Sequence, residues 1–199
     1  MVDKSLWTLR AEENPEHSTW YVQRFRDMAA AGQDLAGEAR LLDAMMPRGS
    51  RILDAGCGPG RVGAELARRG HTVVGVDVDP VLIDAARADH PDITWLVGDL
   101  ADLDTSALGG PFDGIVCAGN VATFLAPSTR RPVLANLRAA LKRSGRAAIG
   151  FGAGRGYPFE EFLADATATG WIRDLLLSTW DLRPYQKDAD FLVAILRPA

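Results

Sequence analysis

The chain has 199 residues, 47% of them hydrophobic, which predicts a single domain with a sizeable core. Its formal net charge of -4 argues against a nucleic acid as a constant partner, and it shows neither the roughly 20 apolar residues of a membrane span nor an apolar signal peptide. The two cysteines, Cys57 and Cys117, have the spacing of neither a disulfide framework nor a metal site, so we expect no metal and a cytoplasmic location.

The N-terminal quarter of the chain is predicted to be helical. Residues 14–30 carry a helix-type pattern with Asn14 and Pro15 at its start, and residues 34–49 carry one that ends at Pro47 and Gly49. We expect both helices to pack on a sheet or over its carboxyl edge. Residues 1–50 then form a cap that belongs to the same domain as a core over residues 51–199.

Short β-rich runs alternate with helical runs from Arg51 onward. Strands are predicted at residues 51–55, 72–76, 93–97, 112–118 and 146–151, and helices at residues 61–70, 80–88 and 128–145. Ser128 is the expected N-cap of the last of these helices. The alternation indicates a parallel sheet with helices on both faces.

The end of the chain breaks this alternation. After a short helix over residues 158–170, two β-rich runs follow at 171–182 and 190–198 with no helix between them. Their connection is shorter than the dozen or more residues that a parallel crossover needs, so they should pair as an antiparallel hairpin. The predicted fold is α/β, with a doubly wound, mainly parallel seven-stranded sheet that ends in this hairpin.

A glycine-rich turn, "ILDAGCGPGRVG" at residues 52–63, follows the first predicted strand and leads into a helix. Such a turn brings backbone N–H groups close to a ligand. Residues 58–63 fit the dinucleotide pattern G-x-G-x-x-G, and residues 54–60 fit an acid-x-G-x-G-x-G pattern. Asp77, at the end of the next strand, serves either pattern.

Three features favour the second pattern: Asp54 lies in the strand end, Asp99 follows the third strand, and the terminal hairpin is foreign to the usual dinucleotide fold. Here the chain resembles the class I S-adenosylmethionine-dependent methyltransferases. The resemblance covers about residues 50–199 and is carried by "ILDAGCGPG", "VVGVDVDP", "WLVGDLADLD" and "FDGIVCAGN". It implies a Rossmann-like core, S-adenosylmethionine as cofactor and S-adenosylhomocysteine as product.

The resemblance also implies a set of cofactor contacts. Asp77 is expected to accept from both ribose hydroxyls, Asp99 from the adenine amino group, and Asp54 from backbone N–H groups of the turn. Adenine is expected between Val78 and Leu100, and the methionine part against the glycine turn. The whole expected cofactor set is Tyr21, Gly56, Cys57, Gly58, Gly60, Asp77, Val78, Asp99, Leu100, Cys117 and Ala118.

Methyl transfer from a sulfonium is an in-line displacement, so the chief task of the protein is alignment, and a base is needed only for an acceptor that must lose a proton. No catalytic residue is assigned from the sequence; the candidates are His17, Asn120 and Tyr157. His71 and His90 precede strands and are expected at the surface, away from the site. Asp79 precedes Pro80 and is expected to cap a helix.

A small-molecule acceptor is predicted, because the chain has neither a nucleic-acid module nor a basic groove. Its pocket should lie at the carboxyl edge of the sheet between residues 17–21, 120–124 and 152–159, where Arg155 could meet an acidic acceptor. Two alternatives remain open at this point. One is a nicotinamide-dependent oxidoreductase on a Rossmann fold, and the other is a non-catalytic cofactor-binding domain.

Overall fold

The computed structural model describes residues 2–199. Its strands are Arg51–Ala55 (β1), Thr72–Asp77 (β2), Thr94–Val97 (β3), Phe112–Cys117 (β4), Leu141–Gly152 (β5), Trp171–Leu177 (β6) and Phe191–Pro198 (β7). They form one seven-stranded sheet in the order β3-β2-β1-β4-β5-β7-β6. From β1 the chain first builds outward through β2 and β3, and then returns to the other side of β1 with β4. The carboxyl ends of β1 and β4 therefore flank the point where ligands bind in open α/β sheets.

The strand directions confirm the predicted fold class. Strands β1 to β5 pair in parallel, whereas β7 runs antiparallel to both β5 and β6. The last strand of the chain thus lies between β5 and β6, and β6 becomes an edge strand. The predicted terminal hairpin is present, but β6 ends at Leu177, earlier than expected, so the connection to β7 spans residues 178–190 and is longer than predicted.

The helices are Leu6–Glu13 (α1), Glu16–Ala30 (α2), Gly37–Met45 (α3), Arg61–Arg68 (α4), Pro80–Asp89 (α5), Val121–Phe124 (α6), Arg130–Ala140 (α7) and Phe159–Ala168 (α8). Short 3₁₀ turns lie at Leu100–Asp102 and Pro127–Thr129. Residues 2–50 are mainly helical as predicted, with α1 as an additional helix that Ser5 caps through its side chain. Among residues 2–199, none of the helices is long and apolar enough to cross a membrane.

The core lies on both faces of the sheet. Ile52 and Leu53 are both fully buried but belong to different apolar clusters, because successive side chains of a strand point to opposite faces. Helices α3 and α4 pack on the Ile52 face and contribute Leu42 and Leu66. Helices α7 and α8 pack on the Leu53 face. This arrangement is the doubly covered sheet that the alternating sequence predicts.

One helix boundary was predicted wrongly. The helix expected over residues 128–145 ends at Ala140, and β5 begins at Leu141. Leu141 pairs with Phe112 of β4, and a Cβ at Gly145 would lie 3.0 Å from the Asp113 carbonyl oxygen, so this segment is held against β4. Ser128 is not the helix cap either, since its hydroxyl donates to Oδ2 of Asp3 at 2.6 Å. Pairing with a distant strand outweighs the local helix preference here.

Candidate functional site

The turn after β1 depends on glycine. Gly56 has φ of 76°, and the amides of Gly56 and Cys57 both donate to the Val76 carbonyl of β2, at 2.8 and 3.1 Å. A Cβ at Gly56 would lie 2.4 Å from Cγ2 of Val121, which follows β4. A side chain at this position would therefore need both a left-handed backbone and space that Val121 already fills.

Asp54 ties this turn to the helix that follows it. Its Oδ2 accepts a 2.7 Å hydrogen bond from the Gly63 amide in the first turn of α4. Complete burial raises the pKa of Asp54 to about 7, although the Gly63 N–H and the Arg61 charge act in the opposite direction. The prediction that Asp54 binds a backbone N–H of this region is confirmed.

Asp77 ends β2 beside the glycine turn. Its Oδ2 accepts from the Gly58 amide at 2.8 Å, and its Oδ1 accepts from the Asp79 amide at 3.0 Å. Burial raises the pKa of Asp77 to about 6 against these backbone N–H bonds. Each carboxylate oxygen has two lone pairs, so each retains one for a further donor.

Asp99 stands at the end of the loop after β3. Its Oδ1 accepts from the Ala101 amide at 2.8 Å and so caps the 3₁₀ turn. The other oxygen forms no hydrogen bond to any described residue. Leu100, which follows it, is buried, and Val78 at the end of β2 is half-buried. An acceptor oxygen and two apolar side chains are thus brought to one place.

A cavity of about 840 Å³, part of it open to solvent, lies at the carboxyl ends of β1, β2 and β4. Nine residues predicted for the cofactor site line it: Tyr21, Gly56, Cys57, Gly58, Asp77, Val78, Asp99, Leu100 and Ala118. The fold therefore collects residues that are spread over about 100 positions of the chain.

The N-terminal helices supply an aromatic wall of this cavity. The Trp7 ring meets Tyr21 edge to face at 5.1 Å between centroids and meets Phe124 at 5.3 Å. Tyr21 in turn contacts Phe25 at 5.0 Å. Burial raises the pKa of Tyr21, so its phenol is neutral at physiological pH. This wall of the cavity is therefore mainly aromatic.

Gly60 and Cys117, which were also predicted, lie beside the cavity but do not line it. Gly60 is the N-cap residue of α4, and a Cβ there would lie 2.9 Å from the Trp95 ring. The Cys117 side chain packs in the core, where burial raises the pKa of its thiol to about 12. Among residues 2–199, no group of three or more His, Cys, Asp or Glu side chains could hold a metal ion.

The candidate base His17 packs away from the cavity surface. Its ring lies between Trp7 and Trp20, with centroid distances of 4.9 and 5.7 Å. Its buried Nε2 has no hydrogen-bond partner among the described residues. Asn120, the second candidate, has a left-handed backbone with φ of 67° and accepts from the Gly152 amide through Oδ1 at 2.8 Å. It therefore joins the loops after β4 and β5 beside the cavity.

Tyr157 is not at the sheet edge, where it was expected as the third catalytic candidate. It is 1% exposed, stacks on Phe151, and donates from its hydroxyl to Oδ2 of Asp165 at 2.9 Å. Burial, with Asp165, raises the pKa of Tyr157. The aromatic packing and the buried carboxylate turn this side chain inward, which sequence position alone does not indicate.

The two histidines expected at the surface differ. His90 is half-buried at the end of α5, whereas His71 is buried and the expectation for it was wrong. The Nε2 atom of His71 lies 3.0 Å from Oδ1 of Asp43 on α3. Helix α3 covers the amino end of β2, and this long-range packing buries the histidine. Asp79 caps α5 as predicted, since its Oδ1 accepts from the Val81 amide at 2.8 Å.

Other residues of the cavity were not foreseen. Trp7 and Phe25 line it, as does Arg61, whose guanidinium is paired with Glu38 of α3 at 2.5 Å; Phe124, expected in the wall of the acceptor pocket, lines it as well. Arg61 directly follows the glycine turn, and its position there was an available signal. The aromatic residues gave no signal of their own, because aromatic side chains on amphipathic helices usually face a core.

Comparison with known proteins identifies the family. A family model described as a methyltransferase domain matches residues 52–145. The crystal structure of a TehB-like SAM-dependent methyltransferase from Corynebacterium glutamicum superposes with a TM-score of 0.89 and 52% identity, covering 94% of this chain and 100% of that chain. The chain belongs to the S-adenosylmethionine-dependent methyltransferases. It is therefore an enzyme of the transferase class, and S-adenosylmethionine is its cofactor.

Two further methyltransferases are similar over less of the chain or in fold alone. The magnesium-protoporphyrin O-methyltransferase of Rhodobacter capsulatus is 43% identical over 88 residues, which are 42% of this chain and 38% of that protein. The structure of magnesium protoporphyrin IX methyltransferase from Synechocystis with bound SAM has a TM-score of 0.63 and 19% identity, and the match covers 81% of this chain and 76% of that one. The chain thus aligns with well under half of its curated relative.

The polar and apolar groups that line the cavity fit S-adenosylmethionine. The carboxylates of Asp77 and Asp99 have acceptor positions left for hydroxyl and amino donors, and apolar side chains flank them. At Gly58 the turn carries no side chain, and a Cβ there would lie 3.7 Å from Tyr21 Cε1 across the cavity wall. Of the two patterns in the turn, the acid-x-G-x-G-x-G pattern is the one that describes this family member. The family assignment sets aside the two alternatives, a nicotinamide-dependent oxidoreductase and a non-catalytic cofactor-binding domain.

Proposed function

We propose that this methyltransferase transfers the methyl group to a small-molecule acceptor and holds its cofactor in the cavity at the switch point of the sheet. Bound there, S-adenosylmethionine supplies a methyl group activated by a positively charged sulfur. The observation that carries the proposal is the convergence of Asp77, Asp99 and the glycine turn on one cavity of about 840 Å³. The core is residues 51–199, and residues 1–50 cover it as a cap.

Asp77 binds the ribose in this proposal. Its two oxygens are fixed by the Gly58 and Asp79 amides at 2.8 and 3.0 Å, so the carboxylate is already oriented. Each oxygen can accept one hydroxyl, and the two bonds are charge-assisted. The left-over acceptor capacity of a buried carboxylate is costly unless a ligand uses it, which supports this role.

The adenine lies between Val78 and Leu100, and Oδ2 of Asp99 accepts from its amino group. Two features support this placement. Both apolar side chains line the cavity next to Asp99, and Oδ1 of Asp99 is already engaged by the Ala101 amide. A carboxylate accepts hydrogen bonds only, so it selects an amino group over a carbonyl at this edge of the base.

The methionine part lies against residues 56–58, with Ala118 and Tyr21 on its other sides. Gly56 and Gly58 have positive φ, so their backbone turns sharply at the cavity. Tyr21 Cε1 would be 3.7 Å from a Cβ at Gly58, and its hydroxyl 3.6 Å from a Cβ at Gly119. The Tyr21 ring therefore spans the gap between the turn after β1 and the loop after β4 and closes the methyl end to water.

The acceptor approaches over the loops after β4 and β5. Asn120 and Arg155 come together there, since a Cβ at Gly152 would lie 3.5 Å from Asn120 Oδ1 and 3.2 Å from Arg155 Nε. Arg155 is exposed, and its guanidinium forms no ion pair with another described residue. Asn120 accepts through Oδ1, so its Nδ2 can donate. Two donors at this place favour an acceptor with an electron-rich polar group.

A small acceptor is also consistent with one of the relatives. One partly matching relative is named for methylation of magnesium protoporphyrin, a small molecule. Within residues 2–199 the loops around the cavity are short and build no deep separate substrate domain. Alignment and exclusion of water by these loops, worth roughly 7–11 kcal/mol in favourable cases, replace covalent catalysis.

The proposal is tested by a methyl-transfer screen against pooled metabolites, read by mass shift. We expect a small molecule whose mass rises by about 14 units, because a methyl group replaces one hydrogen atom. Once found, its kcat/KM should fall about tenfold or more in Asn120→Ala and Arg155→Ala, since each removes a donor. Arg143→Ala, an exposed residue of β5, is the matched control and should leave transfer unchanged. Transfer only to a protein or a nucleic acid would overturn the small-molecule assignment.

A further inference from the structure

Asp79 makes more contacts than a helix cap needs. While Oδ1 accepts from the Val81 amide of α5, Oδ2 accepts from Nε1 of Trp7 at 2.7 Å and from the hydroxyl of Ser18. All three side chains are buried, with Asp79 6%, Ser18 2% and Trp7 9% exposed. One carboxylate thus binds α5, α1 and α2 together.

The second oxygen is not required by α5. Helix N-caps are served equally well by Asn or Ser, which offer one acceptor atom and carry no charge. A buried carboxylate is expensive unless each of its oxygens is hydrogen-bonded. The cost of keeping Asp at position 79 is therefore offset by the two donors from the N-terminal helices.

The hydrogen bonds from Trp7 and Ser18 to Asp79 are buried, unlike most polar contacts between the N-terminal helices and the core. Within residues 2–199, the other polar links of α1, α2 and the residues before them to the core are the exposed Arg26–Asp89 ion pair and the exposed Asp3–Ser128 hydrogen bond, and beyond the end of α2 the Leu35 carbonyl accepts from Arg61. Apolar packing of Trp7, Val22 and Leu82 accompanies the Asp79 bonds. Exposed ion pairs contribute little, so Asp79 is the strongest polar attachment of this segment.

The same residue is bonded directly to the ribose-binding carboxylate. The Asp79 amide donates to Oδ1 of Asp77, whose Oδ2 accepts from Gly58 in the glycine turn. On the other side, Trp7 lines the cavity and supports Tyr21 and Phe124 edge to face. A continuous chain of contacts therefore runs from the cofactor cavity through Asp77 and Asp79 to its N-terminal wall.

We propose that Asp79 is a positioning residue that latches α1 and α2 over the cavity and couples their seating to cofactor binding at Asp77. The inference rests on the proposed function only in placing the ribose at Asp77. With the latch made, Trp7 and Tyr21 stand against the cofactor. With it broken, the N-terminal segment separates more easily and the cofactor leaves faster. By linkage, a ligand that needs the seated segment must also stabilise that seating.

Asp79→Asn tests the latch. The amide has only one oxygen, so it can satisfy either the Val81 N–H or the donors of Trp7 and Ser18, but not both sets. Trp7→Phe removes the indole donor, keeps an aromatic ring in the cavity wall and leaves the α5 cap intact, so it tests the latch without disturbing the helix start. We expect each variant to bind S-adenosylhomocysteine about tenfold more weakly by calorimetry. The double variant should bind S-adenosylhomocysteine as tightly as the single variant with the lower affinity, because both substitutions act on one contact.

Hydrogen exchange supplies a readout that a purely structural cap would not move. In the wild-type protein, S-adenosylhomocysteine should slow amide exchange across residues 6–30, and in both variants this protection should be largely lost while β1 and β2 remain protected. Arg26→Gln is the matched control, since it breaks the exposed pair between the same α2 and α5 and should change neither quantity. Wild-type affinity and ligand-induced protection in Trp7→Phe would overturn the latch. Failure of the ribose assignment shows separately, as unchanged affinity in Asp77→Ala.

Discussion

The amide of Gly58 donates a 2.8 Å hydrogen bond to Oδ2 of Asp77, 19 positions along the chain. The glycine turn after β1 and the carboxylate that ends β2 are thus one unit before any ligand arrives. A carboxylate fixed in this way needs no rearrangement to bind a diol. Preorganisation of this kind reduces the entropy cost of binding.

Replacing Asp77 should weaken cofactor binding. In Asp77→Ala two charge-assisted hydrogen bonds are lost, each worth roughly 1.5–3 kcal/mol, so S-adenosylmethionine affinity should fall at least tenfold. Calorimetry measures the affinity and circular dichroism checks the fold. Asp84→Ala, on the exposed side of α5, is the control and should bind normally. An unchanged dissociation constant in Asp77→Ala would mean that the ribose is bound elsewhere.

The unliganded protein should lose stability as the pH rises from about 4 to about 7. Burial raises the pKa of Asp54 from its ordinary 3.8 to about 7, so the folded chain keeps this proton over a range in which the unfolded chain has lost it. The unfolded state then binds fewer protons, and the free energy of unfolding falls with pH by about 1.4 kcal/mol per unit of pKa difference. Above pH 7 this contribution no longer changes. Asp77, with a pKa of about 6, acts in the same direction over a narrower window.

Asp54→Asn isolates that effect. The amide oxygen can still accept from the Gly63 N–H, and the side chain carries no charge at any of these pH values. The variant should therefore match the wild-type Tm near pH 4 and exceed it increasingly up to pH 8, by roughly 2–4 °C for each kcal/mol. Differential scanning fluorimetry without cofactor measures both. Parallel Tm curves for the two proteins would show that Asp54 does not titrate in this window.

Gly56→Ala should damage the site through contact and strain together. The new methyl group would lie 2.4 Å from Val121 Cγ2, at a backbone φ of 76° that costs a non-glycine residue roughly 1–2 kcal/mol. Cofactor affinity should fall at least tenfold. Adding Val121→Ala removes the methyl groups that collide but leaves the backbone strain, so affinity should return only in part. Full recovery would attribute the whole loss to the collision, and no recovery would attribute it to the backbone.

Tyr157→Phe should separate stability from function. Loss of its hydroxyl leaves Oδ2 of Asp165 without this buried donor, which costs roughly 1–3 kcal/mol, while Arg131 continues to bind Oδ1. The Tm should fall, and affinity for S-adenosylhomocysteine should stay at the wild-type value. Tyr185→Phe is the matched control, because its hydroxyl bonds to no other described residue and its ring packs on Phe159. Normal stability with impaired methyl transfer would return Tyr157 to the catalytic candidates.

Local patterns determine much of this protein. Alternation of β-rich and helical runs predicts the seven strands and their class, and the absence of a helical run between the last two β-rich runs predicts the terminal hairpin. The cap that Asp79 forms on α5 and the bond of Asp54 to a backbone amide follow from residue type and position in the same way. The glycine turn and the acids after β2 and β3 point to the cavity, because the carboxyl ends of parallel strands meet at one edge.

Tertiary packing decided the features that depend on distant partners. Pairing with β4 places Leu141 in β5 and not in the helix predicted for it. Packing of α3 over His71 buries this histidine. Asp165 and Phe151 turn Tyr157 inward. Asp79 shows both levels within one side chain: its own position in the sequence predicts the bond to Val81, while the bonds to Trp7 and Ser18 join residues 72 and 61 positions apart. A short-range sequence pattern indicates which backbone groups nearby need a hydrogen-bond partner. Contacts between distant residues exist only after the chain has folded and brought their partners together.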